Sequence, residues 1–257
     1  LSVITFFYVL VFIFGTMIGS FLNVLICRLP KDEDVVFKRS HCTQCGAVLK
    51  WYQNIPLVSY LVLRGKCAKC KVHISIQYII VELIMGLAAI LIFDGKIGVD
   101  SIAPFLFKFS VVSVFIVHFV IDFRHKILPD SLNLYLAMIF LAWSLLHESL
   151  LYWLVGGAVG LLFPWFVTWI FYKVRGVVGL GGGDIKLFGA LGLYLGPLGI
   201  INNIFFSCFS GAILGGIFLL VTKKGRDTQI PFGPFIIVVA FVQIFFPGII
   251  ESLLEFK

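Results

Sequence analysis

Leu180–Val221 reads LGGGDIKLFGALGLYLGPLGIINNIFFSCFSGAILGGIFLLV, and beyond Lys186 it carries no charged side chain. A helix needs about 20 apolar residues to cross the hydrocarbon core of a bilayer. This stretch is therefore read as two spans, 185–198 and 199–221. Asp184 and Lys186 stand at the point of entry, and an ionisable group at membrane depth needs a partner or a task.

Six further segments have the same apolar character: roughly 3–26, 76–93, 102–121, 131–146, 150–172 and 235–250. Composition agrees, with 60% hydrophobic and 13% charged residues, where a soluble domain is nearer half apolar and about a quarter charged. The expected fold is an all-α polytopic membrane protein of about eight transmembrane helices. The first apolar segment runs into SFLNVLICRLP without a small-residue cleavage site, so it is read as a retained helix rather than a signal peptide.

Charge placement orients these spans. Nine basic residues fall in 27–75, two in 122–130, three in 173–186 and three in 222–229, together 17 of the 20 Lys and Arg. These are alternate connections in an eight-span chain, and the positive-inside rule makes them cytoplasmic. The net charge of +7 thus follows from topology, with anionic lipid as its natural counterpart; no nucleic-acid partner is expected.

Residues 27–75 form the sizeable polar segment. It contains Cys42-x2-Cys45 and Cys67-x2-Cys70, with 21 residues between the pairs. Two such turns can each present two thiolates to one tetrahedral zinc. A reducing cytoplasm disfavours the disulfide alternative. Four thiolates leave no open position for a catalytic water, so the metal is read as a structural staple for a small cytoplasmic insert. His41 and His73 flank the pairs without being needed as ligands, while Cys27 and Cys208 lack partners at ligand spacing and read as packing residues.

Four acids fall near predicted membrane depth: Glu82, Asp122, Asp130 and Asp184. Asp122 ends the third span and Asp184 begins the sixth, so topology puts both on one membrane face. Two carboxylates that meet cannot both be comfortably charged; one holds a proton while the other can activate water. The bland alternatives are a helix cap for Asp184, a local pairing of Asp122 with Arg124, His125 or Lys126, a cap for Asp130 and an interhelical hydrogen bond for Glu82. Lys186, two residues beyond Asp184, faces elsewhere on its helix and is expected to snorkel to the interface. Gly211, Gly215 and Gly216 are read as helix-packing positions.

GSFLNVLICRLP (19–30), the two CxxC pairs with WYQNIPLVSYLVLRGKC between them, IDFRHKILPD, GGGDIKLFGALG and IPFGPF (230–235) together resemble the bacterial type IV prepilin peptidases, in the family's order. The resemblance implies a GxGD-type aspartic peptidase of the bacterial inner membrane. It would remove the basic leader of prepilins or pseudopilins at the cytoplasmic face. It maps the catalytic aspartates onto Asp122 and Asp184, and the zinc ligands onto Cys42, Cys45, Cys67 and Cys70. It also implies N-methylation of the new amino terminus with S-adenosylmethionine, for which the chain shows no glycine-rich nucleotide fingerprint. Two positions depart from the family pattern: Cys27 replaces an aromatic residue or histidine, and Val178 stands where glutamate is common.

On this reading, residues 1–26 are the first transmembrane helix, 27–75 the zinc-binding insert and 76–257 the peptidase domain. The competing function is a proton-coupled transporter using Glu82, Asp122 and Asp184 as a relay, although no inverted repeat is evident.

Overall fold

A computed structural model of the chain describes residues 3–96, 98–177, 179–222 and 230–249. Val178 and residues 223–229, with Lys223, Lys224, Arg226 and Asp227, lie outside the described residues. The elements are helices: α1 (Val3–Arg28), α2 (Val58–Val62), α3 (Gln77–Ile92), α4 (Val99–His125), α5 (Asp130–His147), α6 (Leu150–Arg175), α7 (Gly182–Thr222) and α8 (Gly233–Phe245). Extended pairing among the described residues is confined to two isolated bridges, His41 with Val48 and Lys66 with His73.

Five of these helices, α1, α4, α5, α6 and α7, are long and apolar enough to cross a membrane, and α3 and α8 are shorter apolar helices. Helices occupy all eight of the segments read as spans. The segments 76–93 and 235–250 form helices of 16 and 13 residues, below the roughly 20 that span unaided. The segments 185–198 and 199–221 are two helical stretches of α7 separated by a non-helical break at Gly196 (φ 68°, ψ −176°) just before Pro197, as their reading as two spans expects.

The bend has a clear cause. Proline has no N–H to offer the carbonyl four residues back, and in hydrocarbon that carbonyl must find another donor. Ser144 of α5 donates to the carbonyl of Leu193 at 2.8 Å. The Tyr152 hydroxyl of α6 donates to the carbonyl of Leu195 at 2.9 Å. The Tyr152 ring also fills the space that a side chain at Gly196 would need.

The chain divides into two compact units, Leu1–Val117 and His118–Lys257. In the first, α1 packs on α3 through small residues: a Cβ on Gly19 would lie 2.7 Å from the Glu82 Cα, and one on Gly15 would lie 2.9 Å from the Gly86 Cα. Such contacts let helices approach where lipid supplies no hydrophobic drive. The connection between them is anchored by two buried charged residues. Arg28 donates to the carbonyls of Asp34, Lys38 and Arg39 at 2.9, 2.7 and 3.2 Å. Glu82 accepts the Leu57 amide at 2.8 Å and also bonds Ser20 of α1.

In the second unit, α6 and α7 are in backbone contact, since a Cβ on Gly156 would overlap the Gly192 carbonyl. α5 and α8 also pack on α7. The bent helix is thus the element against which the unit is assembled.

Candidate active site

The site is built from the ends of helices in the second unit. Asp122 lies in the last turn of α4, which stops where Lys126 turns left-handed (φ 57°) and returns its amide to the Asp122 carbonyl at 2.9 Å. The Asp122 side chain is only 4% exposed. Its Oδ2 accepts the backbone amide of Gly233, the first residue of α8, at 2.9 Å. A carboxylate there faces the electropositive end of α8. None of the local partners Arg124, His125 or Lys126 supplies that bond.

Asp184 sits in the first turn of α7 and accepts the Gly181 amide. This is the backward reach of a carboxylate that closes a helix N-terminus, so the capping role is real. It accounts for part of the side chain only: Oδ1 is buried and has no hydrogen-bond partner. The neighbouring charge acting on Asp184 is that of Asp122. The structure therefore brings together the two aspartates that lie 62 positions apart in sequence.

Three residues not singled out from sequence hold this arrangement. Leu128, 8% exposed, lies between two glycines that could carry no side chain here. A Cβ on Gly183 would lie 2.9 Å from the Leu128 Cβ. One on Gly233 would lie 3.2 Å from Leu128 Cδ2 and 2.8 Å from Asp122 Oδ2. Asn133 of α5, 4% exposed, donates to the Gly183 carbonyl at 3.2 Å and so ties α5 to the turn before Asp184. Each belongs to a stretch visible in sequence, IDFRHKILPDSLN or IPFGPF, but its partner is far away along the chain.

The other acids are placed differently. Asp130 begins α5 and pairs with Lys186 at 2.7 Å, a partner that the sequence reading did not name. Both side chains are more than half exposed, so the link is worth about 0–1 kcal/mol. Glu82 belongs to the first unit and is engaged by Leu57 and Ser20 rather than by either aspartate. An apolar groove of about 320 Å³ in that unit, lined by Phe7, Phe14, Phe93 and Phe105 among others, contains neither aspartate.

The four cysteines converge. Their sulfurs all lie within 4.8 Å of one another, and Cys42 Sγ is 3.8 Å from Cys70 Sγ. A metal–sulfur distance of about 2.3 Å in a tetrahedron implies edges of about 3.8 Å, so the donor set fits such an ion. The two turns repeat one backbone pattern. The Cys42 amide donates to the Ala47 carbonyl and the Cys67 amide to the Val72 carbonyl, both at 2.9 Å. Gly46 (φ 67°) and Lys71 (φ 61°) make the equivalent left-handed step. The amides of Cys70 and Lys69 face the Cys67 sulfur and lower that thiol to about 6. The Val72 amide favours the Cys70 thiolate, but desolvation and the other three sulfurs outweigh it and push Cys70 up to about 11. Sulfurs so close cannot all be anionic without a cation among them. His41 and His73 are bridge residues of these turns and not members of the sulfur cluster.

Comparison with known proteins is decisive. Residues 109–216 match the Type IV leader peptidase family, and residues 13–94 match the Bacterial Peptidase A24 N-terminal domain. The chain belongs to the type IV leader peptidase family. A prepilin leader peptidase/N-methyltransferase of Xanthomonas campestris pv. campestris is 37% identical over 274 residues, covering 94% of this chain and 92% of the relative. Proteins of that description from Myxococcus xanthus and Pseudomonas aeruginosa are 38% and 34% identical. The former alignment covers 87% of this chain and 67% of the relative, the latter 90% and 87%. No solved structure matches the chain significantly. For this leader peptidase family member, the junction between the two matched regions falls near the start of α4, the helix that carries Asp122.

Proposed function

We propose that the protein is a membrane aspartic endopeptidase that removes the basic leader of type IV prepilins or pseudopilins, with Asp122 and Asp184 as its catalytic pair. The observation that carries the assignment is that Asp122 and Asp184, at the ends of α4 and α7, are near enough for the charge of one to act on the other, with a buried oxygen of Asp184 left without a hydrogen-bond partner. Buried polar atoms are rarely unsatisfied, and an acceptor beside a second carboxylate suits a water or a substrate amide. One carboxyl holds a proton and the other draws a proton from water as it attacks the scissile carbonyl. The protonated partner then serves the departing amine, and the pair titrates as a unit. The Gly233 amide holds one oxygen of Asp122, which fixes how that carboxylate faces the water.

The basic connections, the four-cysteine insert and the two aspartates are assigned to the cytoplasmic side of the bacterial inner membrane, on the charge pattern. Zinc is the metal that suits four thiolates in tetrahedral array. Cys42, Cys45, Cys67 and Cys70 would hold it, and it would supply structure rather than hydrolysis. N-methylation of the new amino terminus, which the names of the relatives carry, would require S-adenosylmethionine. The described residues form no strand–turn–helix cradle for that cofactor, and no side chain is assigned to it.

A cleavage assay in detergent with a prepilin, comparing wild type with Asp122→Asn and Asp184→Asn, tests the pair. Both variants are expected to fold and to be inactive, and substantial turnover by either removes the dyad.

A further inference from the structure

Asp122 receives its hydrogen bond from a helix whose position is set elsewhere. α8 lies antiparallel on the second half of α7. At one end of their contact, a Cβ on Gly215 would lie 3.1 Å from Ile230 Cδ1, and one on Gly211 would lie 3.1 Å from the Phe232 ring. At the other end, Asn203 Nδ2 donates to Gln243 Oε1 at 2.7 Å, and Gln243 Nε2 donates to the Gly199 carbonyl at 2.8 Å. Ser207 donates to Asn203 Oδ1 at 3.4 Å. Asn203 and Ser207 are fully buried. Gly233 lies in the same helix, ten residues before Gln243.

The apolar contacts along this seam, which bury Ile236 and Ala240 of α8 completely, are non-directional and tolerate a slip better than a hydrogen bond does. A buried amide pair is not tolerant, since a slip leaves donors and acceptors unpaired in hydrocarbon. A single polar pair within an apolar helix interface is an established means of specifying register. One residue of slip moves a helix by about 1.5 Å and turns it by about 100°. Either motion takes the Gly233 amide out of reach of Asp122 Oδ2, now 2.9 Å away.

We infer that Asn203 and Gln243 are positioning residues that fix the axial register of α8 on α7, and thereby deliver the Gly233 amide to Asp122. The inference rests on the reading of Asp122 as a catalytic carboxylate. Neither amide touches the reacting atoms; they act through α8.

The test uses the full-length enzyme in detergent with a prepilin substrate. Gln243→Asn shortens the pair while keeping a buried amide. It is expected to lower kcat roughly tenfold to a hundredfold, in line with the cost of misplacing a catalytic group by about 1 Å, with KM changed by no more than about twofold. Adding Asn203→Gln restores the combined reach, and the double variant is expected to recover most of kcat. Should Gln243→Asn fail to accumulate, Asn203→Gln alone carries the same test, and the double variant again provides the rescue. Wild-type kcat in the single variants overturns the inference, as does a double variant no better than either single one. Asp122→Asn in the same assay separates the two levels: cleavage there defeats the dyad itself, whatever Gln243 does.

Discussion

The Gly233 amide donates to Asp122 Oδ2 across 111 residues of sequence. The bond joins the end of one helix to the beginning of another, so the carboxylate meets a backbone donor with no side-chain freedom. Pro234 follows at the start of α8, where its missing N–H costs nothing and its fixed φ suits the first turn.

Gly233→Ala is expected to abolish most cleavage. The added Cβ would stand 2.8 Å from Asp122 Oδ2 and 3.1 Å from its Cγ, so either the carboxylate or α8 must move. Such overpacking costs about 1–3 kcal/mol in stability, while a shift of about 1 Å in a catalytic group can cost about a hundredfold in rate. Activity should therefore fall far more than the melting temperature; a variant that cleaves normally would show that this contact is dispensable.

Removing the metal is expected to loosen the cysteine-rich segment without altering the aspartates. Metal analysis of intact protein should find zinc, and Cys42→Ser or a strong chelator should release it and expose residues 40–73 to protease. Because binding displaces thiol protons, retention should weaken as pH falls, most steeply below about 6, where Cys67 also takes a proton. Intact protein free of zinc would refute the four-thiolate assignment.

Glu82→Ala should destabilise the insert by about 1–3 kcal/mol, the cost of leaving a buried donor unpaired. The donor is the Leu57 amide, in a residue with φ 60° and ψ −50°. The Val58 amide donates across it to the Pro56 carbonyl at 2.6 Å, the pattern of a strained three-residue turn. Glu82→Gln keeps an acceptor and should lose less. Limited proteolysis around residues 51–65 would report the difference, and equal protection in all three proteins would count against a clamp at Leu57.

The exposed pair of Lys186 and Asp130 is expected to matter little. Lys186→Met and Asp130→Asn should each change stability by less than about 1 kcal/mol and leave cleavage within about twofold of wild type, since exposed pairs are screened by water and salt. A large loss of kcat in either would give this pair a role in the reaction.

Sequence by itself determined the class of fold, because long uncharged runs have few stable arrangements outside a bilayer. It also suggested Asp122 and Asp184 as a pair, and grouped the four cysteines that the structure brings together, because short-range spacing and alternating charge are local properties. How the helix ends are capped and held was not local. The break between the spans 185–198 and 199–221 falls at Gly196, where Ser144 and Tyr152 supply donors to the carbonyls of Leu193 and Leu195. Only tertiary structure decided what Asp122 bonds, where Leu128 and Asn133 sit, and that Glu82 serves Leu57 instead of a neighbouring helix alone. Hydrogen bonds between residues 25 to 111 positions apart are set by how helices pack, and helix packing is a property of the folded chain as a whole.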